Sequence, residues 1–249
     1  MYTLEIINKI LYESRKVTTY KLGILLGITD YIIENSNEKT NNNLLFIPTF
    51  YLAKKFLAYY TPLVLEGIIQ GQKSMDKSPT EIENYIISFV ELNNKQKILP
   101  FSLTSKKTNE LIKYIEEKNN IPQELIELLF NIRSKIIDQP LQHIRNIGDE
   151  EITFFSLQSA ESILKEGYES NRNKGIKLKL EKDKPSMNWK RLLLIENLYL
   201  VITNQTFKEI HNYKFLIRDA IIKKWCQESL TRFKTNFNSL IELFDLWKK

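Results

Sequence analysis

The stretch from Thr18 to Asn35, TTYKLGILLGITDYIIEN, decides how the rest of the chain is read. Apolar residues at Leu22, Leu25, Leu26, Ile28, Tyr31, Ile32 and Ile33 recur at helical spacing and leave so little polar surface that the helix must be covered on nearly all sides. The pattern predicts a central, buried helix in which Gly23 and Gly27 suit the close approach of a neighbour. Thr18 and Thr19 stand where a helix is capped, whereas Lys21 in the first turn works against the helix dipole. Lys21 is therefore either a solvated lysine or a contact for an anion.

Working outward, residues 3–14 place Leu4, Ile7 and Leu11 on one face, a short amphipathic helix expected to form a hairpin with the central one. A polar loop, SNEKTNNN, follows Asn35. Pro48 then precedes a helix with Phe50, Leu52, Ala53, Phe56, Leu57 and Tyr60 at its apolar positions, which Pro62 is expected to kink or restart. Ser78-Pro79-Thr80-Glu81 reads as a capping box opening a helix over 79–93, and two more helices are expected over about 105–118 and 122–137.

After Pro140 the texture changes. Residues 152–157, 176–180 and 192–203 are short, β-branched or alternating, and suggest two to four strands of a small antiparallel sheet. From about Gln205 the helical period returns and persists to Trp247. The expected fold is thus mostly α: a helical bundle over 1–140, then a mixed segment over 141–249 with a small antiparallel β element around 150–203 and a long C-terminal helical segment. The two parts can equally form one continuous domain, and only Gly 7 and Pro 7 in 249 residues argue against a turn-dense sandwich or barrel.

Cys226 is the sole cysteine, which excludes an internal disulfide and a zinc site built on cysteine pairs; core packing is its expected role. No basic leader opens the chain and no apolar run approaches the about 20 residues of a membrane span, so a cytoplasmic protein with no membrane partner is expected. The formal charge of +6 is concentrated. Arg172, Lys174, Lys177, Lys179, Lys182, Lys184, Lys190 and Arg191 are opposed only by Glu181 and Asp183, with Trp189 beside the last two cations. Cations with one indole suit a phosphate backbone, the ring free to stack. Lysines that protect a solvated edge strand from aggregation explain the alternation at Lys177 and Lys179 equally well.

Catalytic constellations are thin. His143 and His211 are the only histidines, neither with a ligand-like partner at helical spacing, and Glu116-Glu117-Lys118 lies at a helix end rather than on a strand. No glycine-rich phosphate loop is present.

The order of several segments resembles the amino-terminal region of bacterial HNH-type restriction endonucleases. The residues concerned are Thr19-Tyr20-Lys21-Leu22 with Leu25-Leu26 and Asp30, then Tyr59-Tyr60-Thr61-Pro62, then Ile137 to Pro140 followed by Phe154-Phe155, then Trp225. Tyr20, Lys21, Pro62, Pro140 and Trp225 match that family's pattern as fold markers. The histidine pair and asparagine of an HNH module have no counterpart before the sequence ends at Lys249. The resemblance therefore implies a recognition part without the cutting module, and a divalent metal would belong to that absent module, so no cofactor is expected in this chain.

The reading that follows is a DNA-recognition module of a restriction or phage-defence nuclease system, not a nuclease on its own. It would contact double-stranded DNA through Lys174, Lys177, Lys179, Lys182, Lys190, Arg191 and Trp189, with Lys21 as a further phosphate contact. A nuclease or other defence-system subunit is its expected partner. The alternative is a non-enzymatic interaction module, docking a partner or forming a homodimer through aromatic helices at Tyr51–Tyr60 and Phe207–Trp247. A nuclease with an unrecognised acidic site is the third reading.

Overall fold

The computed structural model describes residues 3–12, 19–35, 44–70, 78–144, 146–147, 150–151, 154–159, 198–233 and 241–242. Mostly helical architecture with a small antiparallel sheet is what these residues form. Helix α1 (Thr3–Tyr12) buries Ile6, Ile7, Ile10 and Leu11. Helix α2 (Tyr20–Glu34) buries Tyr20 and every residue from Leu22 to Ile32, so it is the centre that its all-round apolar sequence requires.

Strand β1 (Leu44–Pro48) leads directly into α3 (Thr49–Leu65). Helix α3 meets α2 where two glycines remove side chains: a Cβ on Gly23 would lie 2.9 Å from Phe56 Cζ, and one on Gly27 would lie 3.0 Å from Leu52 Cδ2. Pro62 neither breaks nor restarts α3. It falls in the last turn and lacks the N–H that would have bonded the carbonyl four residues back, yet the helix runs on to Leu65 and is ended instead by Gly67 at φ +70°. The Gly67 N–H then bonds the Val64 carbonyl at 3.0 Å and the Ile68 N–H that of Leu63 at 2.7 Å, which closes the turn in the Schellman manner.

Helix α4 (Glu81–Gln96) begins two residues later than the sequence pattern suggests. Its capping box is Thr80 with Glu83, not Ser78 with Glu81. A 3₁₀ turn (Ser105–Lys107) leads into α5 (Thr108–Glu117), and α6 (Gln123–Asp138) packs against both α3 and α4. The short α7 (Pro140–His143) precedes a two-stranded pair, β2 (Asn146–Ile147) with β3 (Glu150–Glu151).

The main sheet has the order β1-β5-β4, all antiparallel, from β4 (Ser156–Ser159) and the central β5 (Leu198–Thr203). Register runs from Leu44 opposite Thr203 to Pro48 opposite Tyr199, and Ser159 stands opposite Leu198. Strand β1 was not among the expected strands. Leu45 and Ile47 face the core at period two, but the run is five residues long and abuts a helix start, so it carries little periodic signal. The expected strand over 176–180 lies outside the described residues.

Helix α8 (Asn204–Phe233) closes the molecule, with non-helical backbone at Tyr213. It packs along α2, and α1 lies mainly on α8 rather than in a hairpin with α2. The Thr3 N–H donates to Glu209 Oε2 at 2.8 Å, and the flanks of α2 are taken by α3 and α8. Among the described residues no helix is long and apolar enough to cross a membrane.

Candidate functional site

Three of the residues singled out by the sequence converge on one aromatic centre. Tyr20, at the start of α2, packs its ring 5.6 Å from Tyr60 and 5.9 Å from Phe56, and Tyr60 in turn lies 5.3 Å from Trp225 on α8. Tyr59 meets the same indole edge-on at 6.1 Å. Helix periodicity puts Phe56, Tyr59 and Tyr60 on adjoining faces of α3, and the bare backbone of Gly23 lets that helix approach closely enough for the rings to meet.

Polar groups inside this centre are matched to one another. Thr19 does not cap α2 with its side chain; its hydroxyl pairs with the Tyr60 hydroxyl at 2.8 Å. The Tyr20 hydroxyl accepts the Ile82 N–H of α4 at 3.1 Å, and burial drives its pKa well above the ordinary tyrosine value. Glu83 lies wholly buried and accepts from Thr80 N at 2.8 Å, from Thr80 Oγ1 at 2.7 Å and from Gln70 N. Burial raises its pKa, and the hydrogen bonds from Thr80 and Gln70 only partly oppose this. Gln70 Oε1 accepts from Trp225 Nε1 at 3.2 Å and from Ser229 Oγ at 3.1 Å, while Gln70 Nε2 is buried with no hydrogen-bond partner.

A second buried set ties α2 to α8 and α3. Arg218 Nε donates to Asp30 Oδ1 at 2.8 Å, and Tyr59 Oη donates to Asp30 Oδ2 at 2.7 Å. Asp30 and Arg218 are both buried, so each is the reason the other is tolerated there. Desolvation and the Asp30 charge push the Tyr59 pKa well up, keeping its proton available to the carboxylate.

These groups pin four helices together and leave no exposed nucleophile beside a base. Among the described residues no group of three or more His, Cys, Asp or Glu is placed to hold a metal ion. Cys226 is a buried core thiol, its pKa pushed up to about 11 by burial. His211 meets Lys214 Nζ at 3.0 Å, and His143 ends α7.

Lys21 is the one site residue named by the sequence that falls among the described residues. It is half-buried on a helix whose first turn holds no acidic residue, no ion pair ties it to a described residue, and desolvation lowers its pKa. Lys174, Lys177, Lys179, Lys182, Trp189, Lys190 and Arg191 lie outside the described residues.

Gln70, Glu83, Arg218 and Ser229 were missed by sequence reasoning. Asp30 did carry a signal, being the lone carboxylate in the apolar run of α2, which requires a buried partner. That partner is 188 positions away, and no local spacing could name it.

No curated protein and no solved structure matches the chain. The family described as Domain of unknown function (DUF8808) matches residues 2–241, nearly the whole length, and the chain belongs to it.

Proposed function

We propose that this chain is a DNA-contacting module of a restriction or phage-defence nuclease system, which touches the phosphate backbone through residues 172–191. The observation that carries the reading is where the positive charge stands. That segment holds eight cations against two acids, a local excess equal to the +6 of the whole chain, so everything outside it is balanced.

Ion pairing in the described part fits this division. Lys54, Lys55, Lys135 and Lys224, each largely covered, are held to glutamates and have little to offer a phosphate. The stretch that contains the basic segment leaves β4 at Ser159 and re-enters β5 at Leu198, and those two residues are register partners. Both its ends are therefore anchored at one place on the folded body. Lys21 adds a cation at a helix start, where the dipole also favours an anion. The resemblance to the amino-terminal region of HNH-type restriction endonucleases supports a recognition role, with cleavage supplied by another module.

Replacing Lys177, Lys179, Lys190 and Arg191 together by alanine tests the assignment in a fluorescence anisotropy titration with duplex DNA. Backbone contacts predict weaker binding to all sequences together, and a change of sequence preference at unchanged overall affinity contradicts them.

A further inference from the structure

Helix α8 carries an apolar surface that neither the core nor a DNA-contacting segment explains. Its inward residues are Thr206 and Ile210, then Ile217, Arg218, Ile221, Ile222, Trp225 and Ser229. Regular helical spacing would return a residue to the core at 213 or 214 on the way from Ile210 to Ile217. Instead the backbone departs from helix at Tyr213 (φ −118°, ψ 15°), and the six residues from His211 to Leu216 contain none that is buried. Tyr213 is 50% exposed, Phe215 64% and Leu216 70%. The deviation thus turns onto the surface a tyrosine whose spacing suits the core, and gathers it with two apolar neighbours. Three of the four large exposed hydrophobic side chains among the described residues stand in these four positions.

The rim of this patch is cationic. Lys208 and Lys223 are exposed on the same outer stretch and Lys214 spreads its ammonium 5.6 Å from the centre of the Phe215 ring, against the single exposed acid Asp219. Glu209 is turned away, since its carboxylate receives the Thr3 N–H of α1. Three apolar side chains are too few for the roughly 800 Å² per partner that a stable dimer buries. Leu216, the most exposed of them, is aliphatic and offers no face for a nucleobase to stack on.

We propose that the kinked face of α8 docks an acidic, amphipathic segment of another protein. Apolar side chains of that segment cover Phe215, Leu216 and Tyr213, and its carboxylates meet Lys208, Lys214 and Lys223. The site uses none of residues 172–191 and stands whether or not those residues bind DNA.

The test is selection of a random dodecapeptide phage library on the full chain, followed by anisotropy titration of the enriched synthetic peptides. A Phe215→Ser/Leu216→Ser variant serves as the control, its fold checked by circular dichroism. Because both side chains are exposed, that variant keeps the wild-type melting temperature. Enriched peptides are expected to combine carboxylates with apolar residues, to bind the variant at least about tenfold more weakly, and to weaken with salt. Three results would overturn the proposal. One is enrichment of no variant-sensitive peptide, or of basic ones. Another is a dimer in sedimentation that the variant disperses, which gives the face to a second copy. The last is a loss of duplex or single-stranded DNA affinity in the variant, which gives it to nucleic acid.

Discussion

At the scale of the residue, Asp30 and Arg218 show what holds the centre together. A carboxylate and a guanidinium taken out of water survive because they face each other at 2.8 Å with Tyr59 completing the second oxygen. Replacing one partner strands the other, so Asp30→Ala or Arg218→Met is expected to cost about 3–5 kcal/mol in urea unfolding, while the double Asp30→Leu/Arg218→Met recovers most of it. A single-variant cost under about 1 kcal/mol would mean that water reaches the pair. Glu83 makes a statement about pH. Its folded pKa is raised above the ordinary value of 4.5, so the folded state holds this proton more tightly than the unfolded chain does. Its contribution to stability is complete below 4.5 and is lost as pH rises through the elevated folded value. Glu83→Gln is expected to remove that part of the pH dependence of the unfolding midpoint; an unchanged slope across mildly acidic pH contradicts the assignment.

Elements explain which parts of the sequence were legible. Helix α2 was readable because apolar residues on all faces permit only a buried helix, and the glycines within it were readable as contact points. Gly23 faces Phe56, whose ring is fixed between Tyr20 and Tyr60 at 5.9 and 5.4 Å and cannot yield. Gly23→Ala is thus expected to destabilise by about 1–3 kcal/mol despite the better helix propensity of alanine, worth about 1 kcal/mol, and Phe56→Leu in the same chain should relieve it. At Gly27 the nearest atom is the tip of Leu52, which can move, so Gly27→Ala is expected to be close to neutral in thermal unfolding. Other boundaries escaped because two signals competed. Ser78 and Thr80 both precede a glutamate three residues on, and only burial of Glu83 under Gln70 and Thr80 selects the second. Pro62 marked a break that the C-terminal position of that residue in α3 makes unnecessary, and β1 became a strand only because β5 offers it a partner from far along the chain. Of the two aromatic helices read as docking surfaces, α3 turns Phe56, Tyr59 and Tyr60 into the core, whereas α8 holds three of the four large exposed hydrophobic side chains among the described residues.

For the whole molecule, the described body is a helical assembly on a small sheet, and the densest run of cations, residues 172–191, lies in the sequence between β4 and β5. The segment was legible because charge concentration needs no structure to be seen, whereas the polar centre around Glu83 and Gln70 was not, because its members are polar residues scattered over four elements. The proposed contact of those cations with phosphates is read from the affinity for a fluorescent duplex across a salt series from about 50 to 200 mM. If four or more of the cations make phosphate contacts, the logarithm of the binding constant falls with the logarithm of salt concentration at a slope of about −3.6 or steeper. Alanine at Lys177, Lys179, Lys190 and Arg191 flattens that slope. An absence of duplex binding even at the lowest salt, or an affinity that salt leaves unchanged, would contradict the account.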